Sequence, residues 1–321
     1  MDHASPQARE SRWMEAMRRG DFTAAWEETD RIEIERRALE KAGRLIRQEH
    51  HLLWNGLPFS GNRVVVRCHH GLGDTLQFLR FVPHLRELAH QVTLLVQPAL
   101  LPLLGCSERF GEIRNGWCEE PLPAHEVEIE IMELAYAFRC TPETLPNNVP
   151  YLPTDSLGRA RAGFPIQSGA FNVGLLWAAS EWNPRRSIPI QKLDPLRHIE
   201  NVRFYSLQQG IHAGERSALK LEPLSDQTRE ITQAAAAMMQ MDLILTVDSM
   251  AAHLAGALGC PVWMLLRNEA DWRWLANRPD SPWYPTMRIF RQPKEGAWEP
   301  VIQEVARALR QIVPIHCRDP I

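Results

Sequence analysis

Arg63-Val-Val-Val-Arg-Cys-His-His-Gly-Leu-Gly-Asp-Thr-Leu-Gln-Phe-Leu-Arg80 is the stretch from which the architecture can be read. Its first six residues form a short β-branched run, the composition of a buried parallel strand. The turn His69-His-Gly-Leu-Gly-Asp74 follows. From Thr75 onward Leu76, Leu79, Phe81 or Val82, Leu85 and Leu88 recur at helical spacing. A strand passing through a glycine-bearing turn into a helix opens a βαβ unit. Glycines let the backbone turn sharply and approach a bound group, and the following helix offers its N-terminal N–H groups.

Working outward, residues 92–96 and 126–131 read as further strands, with a short helix near 99–104. Four prolines (Pro142, Pro146, Pro150, Pro153) mark 141–155 as a linker. The second half repeats the pattern, with strands predicted at 172–177, 202–207, 243–247, 262–266 and 287–290. Helices are predicted at 190–198, 227–241, 250–258 and 298–313. Strands alternating with helices imply parallel sheets covered on both faces. The expected architecture is therefore α/β, with two Rossmann-like domains facing a cleft, over 53–155 and 156–321. Ligands are expected at the carboxyl ends of the strands. Upstream, the first 50 residues carry 21 charged side chains. Trp13, Met14 and Met17, then Phe22, Ala25 and Trp26, then Ile32, Ile34, Leu39, Leu45 and Ile46 recur at helical spacing, with Gly20-Asp21 as a break. This predicts two or three helices over 1–52, resembling one degenerate tetratricopeptide-type pair. A single pair cannot bury its own face, so it is expected to pack on the next domain or on a protein partner.

The chain has 321 residues, 45% hydrophobic and 23% charged, with a net charge of −3. That balance argues against a nucleic-acid binder. No apolar run approaches the roughly 18 residues of a membrane span, and no secretory signal is visible, so a cytoplasmic location is expected. Six cysteines, at 68, 106, 118, 140, 260 and 317, include no CxxC pair, which argues against zinc or a disulfide framework. His69 and His70 lack a third ligand at suitable spacing, so no metal site is assigned.

Four segments can carry chemistry. Gly71 and Gly73 lead into Asp74, an acid suited to helix capping or to catalysis. A dinucleotide site would want glycine at Leu76 and an acid at Gln97, so NAD is disfavoured. In Thr246-Val-Asp-Ser-Met-Ala-Ala-His253, Ser249 stands where it can cap a helix whose first turn accepts a phosphate. Asp248 would fix the loop or bind a sugar hydroxyl there. His253, one turn inside, is either a ligand contact or a satisfied helix histidine. Arg185 and Arg186 follow a strand and can clamp a diphosphate, or lie on a solvated loop. Asp271-Trp-Arg-Trp274 interleaves aromatics with arginine, suited to stacking on a base or sugar or to filling a core.

Together these residues resemble glycosyltransferase family 9, the ADP-heptose:lipopolysaccharide heptosyltransferase group, and most of all its branch fused to tetratricopeptide repeats. Gly71–Arg80 is similar to that family's first motif. The resemblance continues through Gly174-Leu-Leu-Trp177, Arg186-Ser-Ile-Pro189, Phe204-Tyr-Ser-Leu-Gln208 and Val247–Gly256. It ends with Asp271–Trp274, Ser281-Pro-Trp-Tyr284 and Phe290-Arg-Gln292. It implies a GT-B fold and metal-independent, inverting transfer of a sugar from a nucleotide-diphosphate donor, with no resident cofactor. It places Asp74 on the base and Asp248, Ser249 and His253 on the donor motif. Arg185 or Arg186 would help the departing diphosphate, and Gln208, Trp272 and Arg273 are candidate base or sugar contacts. The implied acceptor is a glycan, a lipid-linked molecule or a protein, with peripheral membrane association among the options. The chain departs from the family at Ala179, where glycine is usual, at Ser249, where threonine is common, and in a shortened 179–185 segment. These departures keep a second reading in play, a retired glycosyltransferase fold serving as a binding or scaffold protein.

Overall fold

The computed structural model describes residues 6–44, 52–105, 107–154, 157, 163–179 and 183–316. The expected third helix around Leu45 and Ile46, Cys106, Cys317 and part of the 179–185 segment lie outside the described residues. The chain divides into two compact units. One comprises Met1–Leu101, Ser107–Asn147 and Ala270–Arg278; the other comprises Pro102–Cys106, Asn148–Glu269 and Pro279–Ile321.

In the first unit, α1 (Pro6–Arg19) and α2 (Phe22–Lys41) form the expected hairpin. Gly20 takes φ +82°, a left-handed conformation that glycine adopts without penalty, and the Asp21 carboxylate then caps α2 through Ala24 N–H. The apolar face of the hairpin is covered within its own unit. Phe22 and Trp26 are buried, the Trp26 indole donates to the Cys140 carbonyl at 2.7 Å, and Asp30 accepts from Tyr136 and Arg139. Ile34 and Leu39 stay exposed.

The sheet follows, with β1 (Arg63–Arg67), β2 (Gln91–Val96), β3 (Glu112–Asn115) and β4 (Val127–Glu130) all parallel in the order β3-β2-β1-β4. The helix expected from Thr75 to Leu88 is broken. It consists of α3 (Leu72–Phe78), a 3-10 turn over Leu79–Phe81 and α4 (Val82–Leu88), with Pro83 near the start of α4, where a missing N–H is tolerated. This half of the chain also holds two short helices, α5 (Leu101–Leu104) and α6 (Glu133–Ala137). The unit also takes in residues 270–278, which the sequence reading gave to the 156–321 domain. Trp272 packs edge-on against Trp13 and Phe22, and Ala276 N–H donates to the Arg18 carbonyl.

The second unit has six parallel strands, β5 (Phe171–Leu176), β6 (Val202–Ser206), β7 (Glu222–Pro223), β8 (Leu243–Val247), β9 (Val262–Leu266) and β10 (Met287–Arg291). Their order is β10-β9-β8-β5-β6-β7. Among the described residues its α-helices are α7 (Ile231–Met238), α8 (Met250–Ala257) and α9 (Trp298–His316). The helix expected at 190–198 is 3-10 throughout and holds Pro195, which cannot join an α-helical ladder. The end of the expected linker belongs to this unit, since Tyr151 N–H donates to the Ala257 carbonyl.

Gly256 on α8 lies against a buried tyrosine. A Cβ there would stand 2.5 Å from the Tyr284 ring, and Tyr284 is 0% exposed. Gly256→Ala therefore overpacks this core and lowers stability by about 1–3 kcal/mol, seen as a Tm drop of several degrees. An unchanged Tm would show that the ring moves freely.

Candidate active site

Ligands in open parallel sheets collect at the carboxyl ends of the strands, where the strand order reverses. In the first unit the reversal lies between β1 and β4. The turn after β1 carries Gly71, Gly73 and Asp74, and the end of β4 carries Glu130. In the second unit the reversal lies between β5 and β8. There the loop after β5 carries Arg185 and Arg186, and the turn after β8 carries Asp248 and Ser249.

Asp74 sits in the first turn of α3, about a quarter exposed. Its Oδ2 accepts from Gly71 N–H at 2.9 Å, so Gly71, not Asp74, holds the N-cap position and Asp74 bonds back to it from inside the first turn. A Cβ at Gly71 would lie 3.1 Å from that oxygen, which is why glycine suits the position. Its Oδ1 accepts from Arg273 Nη2 at 2.7 Å. The same guanidinium donates to Gln77 Oε1 at 2.9 Å and to Asp271 Oδ1 at 2.8 Å, and lies 4.8 Å over the Trp272 ring. Arg273, 11% exposed, therefore fixes the orientation of Asp74 and balances its charge.

In the second unit, Ser249 holds the N-cap position of α8, but its side chain makes no capping bond. Its hydroxyl lies 3.5 Å from that of Thr246. The capping expected of Ser249 is therefore absent, because the hydroxyl turns back toward the strand. Asp248 beside it is buried. The loop after β5 is closed by Ile188 N–H on the Trp177 carbonyl and by Ala179 N–H on Ser187 Oγ.

No family model matches the chain. Protein FlbA of Caulobacter vibrioides is 27% identical over 287 residues, covering 80% of this chain and 48% of that protein. The chain thus spans about half the length of the curated relative it matches. Solved structures match over most of both chains. Escherichia coli ADP-heptose lipopolysaccharide heptosyltransferase II aligns with a TM-score of 0.58 at 15% identity, over 79% of this chain and 99% of that one. The glycosyltransferase family 9 protein of Veillonella parvula aligns with 0.57 at 12% identity, over 80% and 98%. E. coli heptosyltransferase WaaC, solved with ADP-2-deoxy-2-fluoro heptose, aligns with 0.53 at 11% identity, over 78% and 100%.

This chain has the glycosyltransferase family 9 fold.

Within that glycosyltransferase fold the expected residues fare differently. Gln208 is a brace, with Oε1 accepting from Trp177 and Ala178 N–H and Nε2 donating to the Gln209 carbonyl. His253 is buried in α8 with Nδ1 3.0 Å from the Tyr284 hydroxyl, which matches the satisfied-histidine alternative. Trp272 is 7% exposed, with Trp13 and Phe22 edge-on to it, so it serves the core of the first unit. Arg185 is exposed, 3.5 Å from Glu295, and lines a cavity of about 270 Å³ with Lys192, Arg267 and Gln292; Arg186 does not line it. His69 and His70 are exposed, and among the described residues no three His, Cys, Asp or Glu side chains converge as metal ligands would. No helix of the described residues is long and apolar enough to cross a membrane.

Glu130 was not singled out from sequence. It is 5% exposed, and Met132 N–H donates to its Oε2 at 2.7 Å. Burial pushes its carboxyl up to about 8. The negative charges of Glu133 and Asp74 add to this, while the N–H of Met132 and, more weakly, of His69 oppose it. Burial also raises the carboxyl of its neighbour Glu133, against the N–H groups of Trp54, Leu53 and Glu130 that it accepts from. The signal for Glu130 in sequence was an acid closing an alternating strand, in Val127-Glu-Ile-Glu130.

Between the ordinary value of 4.5 and about 8, the folded chain holds a proton at Glu130 that the unfolded chain releases. The associated stability is present at low pH and lost as pH rises through about 8. Glu130→Gln removes that loss. Relative to the wild type, the variant should gain about 3 kcal/mol between pH 6 and pH 9 in urea denaturation. Parallel pH dependences would contradict the buried, protonated carboxyl.

Proposed function

We propose that this protein is an inverting glycosyltransferase that moves a sugar from a nucleotide-diphosphate donor to a hydroxyl acceptor. The observation that carries the reading is Asp74, held by Arg273 and Gly71 N–H where the first sheet reverses. Asp74 takes the proton of the acceptor hydroxyl as that oxygen attacks the anomeric carbon. The bond from that carbon to the diphosphate breaks, the electron pair leaves with the diphosphate, and the configuration inverts. The second unit binds the donor. Negative charge growing on the diphosphate is met by the N-terminal N–H groups of α8 and by Arg185 or Arg186, with no metal ion required. A heptose is one candidate sugar, because a structural neighbour was solved with ADP-2-deoxy-2-fluoro heptose. The acceptor is a glycan, a lipid-linked hydroxyl or a protein.

Thermal shift with ADP, UDP, GDP and CDP tests the donor half. A nucleotide at 100 times its Kd adds about 2.7 kcal/mol and raises Tm. A flat response to all four removes the donor assignment. The scaffold reading keeps a specific foothold, since both oxygens of Asp74 already accept a bond within the chain. A bound nucleotide without turnover on any acceptor would favour it.

A further inference from the structure

The turn that carries Asp74 is tied down at successive residues. Cys68 N–H donates to the Leu95 carbonyl at 3.1 Å, which continues the β1–β2 ladder past Arg67. His69 N–H goes to the Glu130 carboxyl at the end of β4. The His70 carbonyl accepts from Gln97 Nε2 at 2.8 Å. The Gly71 carbonyl accepts from Asp74 and Thr75 N–H at 3.0 and 3.2 Å. Thr75 Oγ1 then donates to Gln97 Oε1 at 3.0 Å. One amide therefore grips the turn at both ends, before Gly71 and after Asp74. Gly71 itself sits at φ −69° and ψ 158°, angles open to any residue, so these bonds rather than an unusual glycine conformation hold the turn in shape.

We propose that Gln97 is a positioning residue for Asp74, its amide clamping the turn from His70 to Thr75 so that the carboxylate keeps one orientation during transfer. The inference rests on the transfer reading above and adds to it a residue that never meets the substrate. Burial carries the first part of the argument. Gln97 is 2% exposed and Thr75 is 0% exposed, so the amide acts through the turn and not on a ligand. The second part is chemical. The two partners are one acceptor and one donor, and an amide presents the matching donor and acceptor together. An ionised carboxylate would have no proton for the His70 carbonyl, and a hydrocarbon would take this partner from the buried Thr75 hydroxyl. The third part is place. In dinucleotide-binding folds the acid at the end of the second strand reaches out to a ribose, whereas here the side chain after β2 turns back onto the turn after β1. Arg273 grips the Asp74 carboxylate and Gln97 grips the backbone on either side of it, so each anchor does what the other cannot. Displacing a reacting group by about 1 Å can cost about 10²-fold in rate, which sets the scale of what the clamp protects.

Gln97→Met keeps the length and most of the volume of the side chain and removes both bonds. Turnover is followed as nucleoside diphosphate released from ADP-heptose, ADP-glucose, UDP-glucose and GDP-mannose, with water or methyl glucoside as acceptor. For a donor that is turned over, kcat should fall about 10- to 100-fold while the donor KM stays within about twofold. In an Asp74→Asn background the same substitution should cost less than about threefold, because no carboxylate is left to misplace. A role in general stability would cost the same in both backgrounds. Thr75→Val removes one end of the clamp from the opposite side and should lower kcat about three- to tenfold. Hydrogen exchange on the full chain supplies a readout besides turnover. Amides over residues 69–75 should exchange about tenfold faster in Gln97→Met, with those of the second unit unchanged. The proposal is overturned if both variants keep kcat within about twofold of wild type, if Gln97→Met loses as much in the Asp74→Asn background as alone, or if exchange over 69–75 is unaltered. Faster exchange in Gln97→Met, with no nucleoside diphosphate released by the wild type from any donor, leaves the clamp standing and removes the transfer reading instead.

Discussion

Asp74→Asn lowers sugar transfer by about 10²–10⁴-fold, the usual contribution of a positioned general base. The substitution is close to isosteric, and the local geometry favours a folded product. The amide oxygen can still accept from Gly71 N–H or from Arg273, so one of the two bonds at 2.9 and 2.7 Å persists. What disappears is the carboxylate proposed to take the acceptor proton. If the second unit holds the donor as proposed, nucleotide affinity stays intact and the loss appears in turnover. The measurement is steady-state release of the nucleoside diphosphate in the presence of acceptor, paired with nucleotide titration. Turnover at the wild-type rate would remove Asp74 from the chemistry and leave it as a helix cap.

Arg273→Met is expected to act on both stability and turnover. Arg273 serves three partners, Asp74, Gln77 and Asp271, and is nearly buried over Trp272. Methionine keeps much of the packing volume and removes every donor. Breaking a fully buried pair costs about 3–5 kcal/mol, and the partial exposure of Asp74 reduces this to about 2 kcal/mol. Urea denaturation measures that part. Turnover should fall as well, because Asp74 is then oriented by Gly71 N–H alone. Arg273→Lys should not restore it, since an ammonium cannot span three acceptors as the planar fork does. Full activity in the methionine variant would show that Asp74 needs no second anchor.

The strands were the most legible part of the sequence. Residues 243–247 and 262–266 are strands as read, because fully buried parallel strands announce themselves as unbroken apolar runs. β3 was missed because Glu112-Ile-Arg-Asn115 is half exposed throughout and shows no alternation. The division at Pro83 went unread because the apolar spacing runs on across it. Within the site, Asp74 could be found because a glycine-bearing turn frames it. Arg273 was found as a motif, but its pairing with Asp74 was not read. Its ion pair with Asp74 spans nearly two hundred residues of chain, and local spacing carries no record of such a partner. Glu130 left little trace, because what distinguishes it is burial and the neighbouring acids Glu133 and Asp74, which the fold brings to it.

The nine residues Ala270–Arg278 are threaded through the first unit although they are encoded in the middle of the second. A genetic splice made at the proline-rich stretch, to graft a foreign donor-binding half onto this one, would therefore carry away the arginine that steadies Asp74. Hybrids between divergent relatives need that short insert transplanted along with the amino-terminal half. Gene shuffling that ignores it should yield chimeras with a loosened base, whatever the quality of the imported half.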